Sequence, residues 1–240
     1  FPFEEAVYRN AGIPVEFVGH PLVDLAKSRT TRAALLLELG LAPTAPTVTL
    51  LPGSRPNEVR RLLPILVEAA RITATSVPEV QFILARAPNL EDSLFSSVMH
   101  RREQGCPVVI EARTDDALSA ADVVATASGT ATVQAAIHGR PMVIIYRVSP
   151  LTYAIGRRFV RVDNYGMVNL IAGGPVVPEL IQERCTASAV AKEIVSYLTD
   201  HNRTKRTKAS LQIVRERLGG SGASGRAAQA VLKVAVRSRR

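Results

Sequence analysis

The sequence predicts an α/β fold built on a doubly wound parallel sheet, and three observations lead there. Short runs rich in β-branched residues alternate with segments of helical periodicity, the pattern of parallel strands joined by crossover helices. Most of the runs are close to continuously apolar, as expected of strands buried on both faces. The chain has 240 residues, 47% hydrophobic and 21% charged, enough for one large core.

In chain order, the predicted strands are Val15–Val18, Val48–Leu51, Val80–Leu84, Val108–Ile110, Val123–Thr126 and Met142–Tyr146. Thr31–Leu39, Glu58–Thr75, Leu90–Glu103, Ala117–Ala121 and Thr130–His138 read as helices between them. The clearest helix follows Pro56. There Val59, Leu62, Leu63, Leu66, Val67 and Ala70 recur at three- and four-residue steps and make one apolar stripe. Ser54 is the expected N-cap, and Pro56 suits a first turn. Pro64 would remove a backbone bond inside this helix, so a kink or a later start is expected. Beyond Tyr146, Pro150–Val162 reads as an amphipathic helix ending in Arg157, Arg158 and Arg161. Ala187–Leu198 and Thr204–Leu218 are helical in pattern. Gly219-Gly220-Ser221-Gly222 then breaks the chain before Arg226–Val236, a last helix free to pack elsewhere.

Charge is unevenly placed. Of a net +9, residues 201–240 hold eleven Lys or Arg and one acid, against 19 bases and 20 acids in the rest. A basic tail suits nucleic acid or anionic lipid, and equally a solvated helix face. It lacks an aromatic stacking platform, so no nucleic-acid partner is expected. Cys106 and Cys185 have no Cys-x-x-Cys partner, which removes zinc-finger and disulfide frameworks and suits a cytoplasmic protein. His100, His138 and His201 read as helix-surface residues, and none has metal-ligand spacing, so neither metal nor cofactor is expected. No apolar run approaches the ~20 residues of a membrane span. The chain opens Phe1-Pro2-Phe3 without a methionine, which suggests processing or an upstream segment.

Two turns stand out. Leu50-Leu51-Pro52-Gly53-Ser54-Arg55 runs from a strand through a glycine into a helix. Such a turn aims backbone N–H groups and a helix dipole at an anion. Gly53 allows close approach, Ser54 offers a hydroxyl and Arg55 a forked cation suited to phosphate. Thr126-Ala127-Ser128-Gly129-Thr130 is a second strand-to-helix turn of the same kind, and Gln134 follows on the same helix face, within reach of a ribose hydroxyl. Either turn alone reads equally well as an ordinary capped βα connection. Together, at the carboxyl edge of one doubly wound sheet, they point to a shared ligand site. His20, after Val18-Gly19, belongs to the same edge.

Further motifs extend this pattern. Pro2-Phe3-Glu4, Phe17 to Leu22, Leu50 to Arg55 with Glu58, Ser128 to Thr132, Pro141-Met142-Val143 and Tyr146-Arg147 occur in order. Asn169-Leu170-Ile171-Ala172, Pro178 to Gln182, and Gly222-Ala223-Ser224 before Ala227-Ala228 complete the series. By these motifs, over nearly its whole length, the chain resembles the lipid-A-disaccharide synthase family. The resemblance implies a GT-B architecture, two Rossmann-like domains facing across a cleft, of which this chain is the carboxy-terminal one. Residues 1–13 are then the end of the connection from an absent N-terminal domain, 14–218 the UDP-sugar donor domain, and 219–240 a basic C-terminal helix. The implied reaction is metal-free, inverting transfer of 2,3-diacylglucosamine from UDP to 2,3-diacylglucosamine 1-phosphate. It gives the β-1,6-linked lipid A disaccharide, and the general base lies in the absent domain. This chain alone is then expected to be inactive. The resemblance further implies work at the inner face of the cytoplasmic membrane, with the Tyr153–Val162 segment as a lipid contact, and a homodimer.

Carried over by position, Ser54 and Arg55 match the family's phosphate-binding pair, with Arg55 stabilising the leaving UDP. Ser128, Gly129 and Thr130 match its diphosphate loop. Asn169 and Gln182 match donor-pocket residues, and His20 matches a cleft residue. Two positions depart from the family pattern: Gln134 where glutamate is usual, and Val168 where proline is. A neutral amide bonds a hydroxyl less strongly than a carboxylate, so the resemblance implies weaker UDP binding and a tighter Gln134→Glu variant. Other readings of the residues are a different UDP-sugar enzyme, such as a UDP-N-acetylglucosamine 2-epimerase or the transferase that makes lipid II, or a non-catalytic UDP-binding module. A nucleic-acid binder using the basic tail is a further rival.

Overall fold

The computed structural model describes residues 1–99, 108–148 and 164–237. Strands β1 (Thr47–Leu51), β2 (Gln81–Arg86), β3 (Val108–Glu111), β4 (Val123–Ala127), β5 (Met142–Tyr146) and β6 (Glu179–Ile181) form one sheet. Their order is β3-β2-β1-β4-β5-β6, and every neighbouring pair is parallel. The chain thus winds outward from β1 in one direction and from β4 in the other, the doubly wound arrangement that the alternation of runs predicts.

The sheet is buried on both faces because alternate residues of each strand feed two cores. Val48, Leu50, Phe82, Leu84, Val143 and Ile145 pack under α4 (Pro56–Ser76) and α9 (Ala187–Thr199). Leu51, Ile83, Val124, Met142 and Ile144 face the opposite core. That side is covered by α3 (Arg32–Glu38), α6 (Thr114–Ala120), α7 (Thr130–Ile137), α8 (Met167–Ala172) and α10 (His201–Arg217). Outside these layers lie α1 (Pro2–Asn10), α2 (Leu22–Leu25), α5 (Ser96–Met99) and α11 (Ala223–Arg237).

Several elements differ from the sequence reading for identifiable reasons. Val15–Val18 is no strand: the far end of the chain bonds to its last carbonyl and to His20 just beyond it. His20 N–H donates to Leu218 C=O at 2.8 Å, and Arg226 Nε donates to Val18 C=O at 2.8 Å. The sixth strand is β6 instead, three residues too short to show a period. In place of one helix over Leu90–Glu103, a 3₁₀ turn (Asp92–Phe95) leads into α5, and residues 100–107 lie outside those described. Arg86 holds the preceding loop as a turn by donating to Leu90 C=O and the Asp92 carboxylate. Helix α6 begins at Thr114, earlier than expected, and α10 begins at His201 because Asp200 caps it, Oδ1 accepting from Arg203 N–H at 2.8 Å. The last helix starts at Ala223, directly after the glycine break. The predicted Pro150–Val162 helix falls outside the described residues.

Helix α4 corrects two expectations. Arg55, extended at φ −112° and ψ 137°, occupies the N-cap position, and Ser54 lies one residue outside the helix. With Pro56 filling the first helical position, the missing N–H removes one of the donors a capping serine would serve. The helix also starts at Pro56 and continues past Pro64 to Ser76. Pro64 and Arg60, whose carbonyl loses its partner, are both exposed, so water can take the freed bond. Because an exposed interior proline still disfavours helix, Pro64→Ala is expected to stabilise the chain by about 1–2 kcal/mol, after allowing for the freer unfolded state. The check is a higher urea midpoint with an unchanged slope.

Candidate functional site

Strands β1 and β4 lie side by side, Leu51 registered against Thr126. The chain leaves β1 for α4 on one face and β4 for α7 on the other, so the two connections part above the sheet edge and leave a crevice. The crevice is a cleft of about 280 Å³. Gly53, Ser54 and Arg55 line one side, and Ser128, Gly129 and Thr130 the other. Gln134 lines it further along α7. The amino ends of α4 and α7 both open onto this space, which favours negative charge there.

Each turn has a physical reason for its residues. Gly53 sits at φ +110°, and a Cβ there would lie 2.6 Å from Glu58 Oε2, so side chain and backbone both demand glycine. The Glu58 carboxylate fills that space and accepts from Arg55 Nη1 at 3.0 Å. Arg55 is 80% exposed, so the ion pair is weak and leaves the guanidinium free to turn toward an anion. In the second turn Ser128 Oγ donates to Tyr165 C=O at 2.9 Å. Gly129, at φ +153°, precedes α7 with open space beside it, so backbone can approach a ligand closely. Gln134 directs Nε2 toward Asp115, 3.4 and 3.5 Å from Oδ1 and Oδ2. His138 Nε2 lies 3.0 Å from the same carboxylate and its side chain is only 11% exposed; it is not the surface histidine the sequence suggests.

His20, Asn169 and Gln182 stand away from the cleft lining. His20 Nδ1 accepts from Leu22 N–H at 3.2 Å and its ring stacks on Phe1 at 4.7 Å; burial lowers its pKa below the ordinary histidine value. Asn169 is fully buried. Its Oδ1 accepts from Val176 and Val177 N–H at 2.9 and 3.1 Å, and Nδ2 donates to Val177 C=O and Glu179 at 2.9 and 2.7 Å. Every polar position of that amide is occupied, so in this arrangement Asn169 builds the fold and contacts no ligand directly. Glu179 also accepts from Tyr165 and Gly166 N–H at 2.7 and 2.9 Å. It thereby holds the segment whose carbonyl receives Ser128. Gln182 is buried at φ +52° and accepts from Val148 N–H at 2.7 Å. Glu58 and Glu179 fall inside motifs named in the sequence, though their structural roles do not follow from those motifs; Asp115 carries no sequence signal.

Comparison with known proteins places the chain in a family. A model described as lipid-A-disaccharide synthetase matches residues 1–234. The chain belongs to that family. Relatives named lipid-A-disaccharide synthase include one from Geobacter metallireducens, 45% identical over 98% of this chain. Those from Geobacter sulfurreducens and Syntrophus aciditrophicus are 43% and 41% identical over 98% and 99% of it. The chain spans about three-fifths of their length, 61%, 61% and 62% respectively. Among solved structures, Anabaena HepE in complex with UDP-glucose is similar at TM-score 0.58 and 16% identity, over 95% of this chain and 61% of that one. The pneumococcal O-GlcNAc transferase GtfA in complex with UDP and GlcNAc is similar at TM-score 0.51 and 16% identity, over 80% and 36%. Identities this low show the fold alone: the sheet and helices are a Rossmann-like α/β unit of the kind found in GT-B enzymes.

Two expectations follow from the geometry. Asn169→Ala would leave the half-buried N–H of Val176 and the buried N–H of Val177 without this partner, and is expected to cost on the order of 3 kcal/mol, measured by urea denaturation. Gln134→Glu would set a second carboxylate beside Asp115, and like charges that close repel. The structure adds a neighbour to the expectation drawn from family resemblance: the tightening of UDP binding expected of Gln134→Glu should be larger when Asp115→Asn is added, both read by calorimetry.

Proposed function

We propose that this chain is the donor-binding part of a lipid-A-disaccharide synthase, with UDP held in the cleft between the two glycine-containing turns. The observation that carries the reading is the convergence, at one switch point, of two helix amino ends, Arg55 and the Ser128-Gly129-Thr130 turn. A diphosphate there meets backbone N–H groups from both sides, and Gln134 lies beyond it for the ribose. Residues 14–218 form the donor domain in this proposal, 1–13 a connection and 219–240 a basic helix.

The proposed reaction of the whole protein moves a diacylglucosamine from its UDP donor to diacylglucosamine 1-phosphate. The acceptor's 6-hydroxyl oxygen forms a bond to the anomeric carbon, the bond from that carbon to the diphosphate breaks, and UDP departs with the electron pair. Arg55 and the helix ends offset the charge that grows on the departing diphosphate, where fixed donors and cations act most strongly. The acceptor's proton goes to a base that family resemblance assigns outside this chain. Cytoplasmic location, a membrane-surface contact through Arg157, Arg158 and Arg161, and a homodimer belong to the same proposal. No described helix is long and apolar enough to cross a membrane, and the three arginines lie outside the described residues.

Titration of UDP into the chain by calorimetry, alongside Arg55→Ala, tests the site. Loss of a charged hydrogen bond is worth about 1.5–3 kcal/mol, so the variant is expected to bind at least about tenfold more weakly. A folded wild-type chain that binds no UDP would overturn the reading.

A further inference from the structure

We infer that Asp115 is a positioning residue: it fixes the amide of Gln134 so that the carbonyl oxygen, Oε1, is presented to a sugar hydroxyl of the bound nucleotide. The inference rests on the proposed UDP site and deepens it.

A glutamine amide has two unlike ends, one donating and one accepting. Unconstrained, it can present either to a ligand. Here Nε2 stands 3.4 and 3.5 Å from the two oxygens of Asp115. These distances are long for hydrogen bonds, so the contact orients the amide more than it binds it. The sense of that orientation is forced, because turning Oε1 toward an ionised carboxylate would set acceptor against acceptor. With the nitrogen committed to Asp115, the oxygen is the end left for the cleft that Gln134 lines.

Asp115 is itself held. His138, one turn beyond Gln134 on α7, places Nε2 3.0 Å from Oδ1, and the Asp115 side chain is only 24% exposed. Next to it in the first turn of α6, Asp116 is buried and receives Arg29 N–H at 2.6 Å, Ser28 Oγ at 2.9 Å and Arg113 Nε at 2.9 Å. Burial opposes ionisation of Asp116, yet these donors hold its carboxyl below the usual carboxylate range. The α6 turn is thereby tied to the chain ahead of α3, and Asp115 is a fixed reference against which the Gln134 amide aligns. A prealigned acceptor rewards a ligand hydroxyl and penalises its absence, the condition under which a site separates an alcohol from its deoxy analogue.

The test is calorimetric titration of UDP, 2′-deoxy-UDP and 3′-deoxy-UDP into the wild-type chain, Asp115→Ala and Asp115→Asn. The wild type is expected to prefer UDP over the weaker deoxy analogue by about tenfold, one good hydrogen bond. In Asp115→Ala the preference should fall to within about threefold, while the affinity of that deoxy analogue stays within about twofold of wild type. Asp115→Asn, which keeps a carbonyl for Nε2, should restore most of the preference. An unchanged preference in Asp115→Ala would overturn the role of Asp115 and leave the UDP site standing. Equal weakening of all three nucleotides would assign Asp115 to the fold alone and overturn it too. A folded wild type that binds none of them would remove the UDP site and this inference together.

Discussion

The parallel pairing of β1 with β4 is the constraint on which the rest depends. Four registered pairs, Val48 with Val123 through Leu51 with Thr126, bring together strands separated by more than seventy residues of chain. Their carboxyl ends are level, and the chain leaves each toward a different face. The two turns that line the cleft owe their meeting to that ladder. A one-residue slip would turn Leu50 and Leu51 to the wrong cores and carry Gly53 away from Gly129.

The base of the ladder is locked from below. Asp122 accepts from Thr47 N–H at 2.9 Å and its own N–H donates to Thr47 C=O at 2.7 Å, so the two strands start in step. Arg32, reaching from α3, donates to Asp122, to Thr47 Oγ1 and to the carbonyl of Ala45 at 3.0, 3.2 and 2.9 Å. A half-buried arginine with this many fixed acceptors acts as a bracket, because its planar fork loses little freedom per bond. At the opposite end of the sheet, Asn169 and Glu179 do the same for the segment behind Ser128. The site is supported by polar networks that never enter it.

How much of this was legible in the sequence follows from range. The strands β1, β2, β4 and β5 read clearly because each is a continuous apolar run, and the turns read because glycine, hydroxyl and arginine fall together within a few residues. Val15–Val18 misled because β-branched content says nothing of which partner supplies the hydrogen bonds; at Val18 that partner is Arg226, some two hundred residues away. Asp115 was invisible for the same reason, since an acid on a helix looks alike whether it meets water or a neighbouring side chain; Glu179 fell inside a family motif that did not reveal its partners. His138 looked exposed on a helix wheel, and only the approach of α6 covers it. Family motifs reached Asn169 and Gln182 where local chemistry could not, yet the structure gives both amides to neighbouring backbone, away from the cleft.

The contact between Arg55 and Glu58 has a further consequence. The cleft carries its own counterion, because the Arg55 cation faces an internal carboxylate. Because Arg55 is 80% exposed and gives Glu58 a single bond, the pair is a loose one, and under the proposed function a diphosphate would share or displace that contact while also meeting the amino ends of α4 and α7. In that proposal Glu58 moderates the pull of Arg55 on an anion and does not block it.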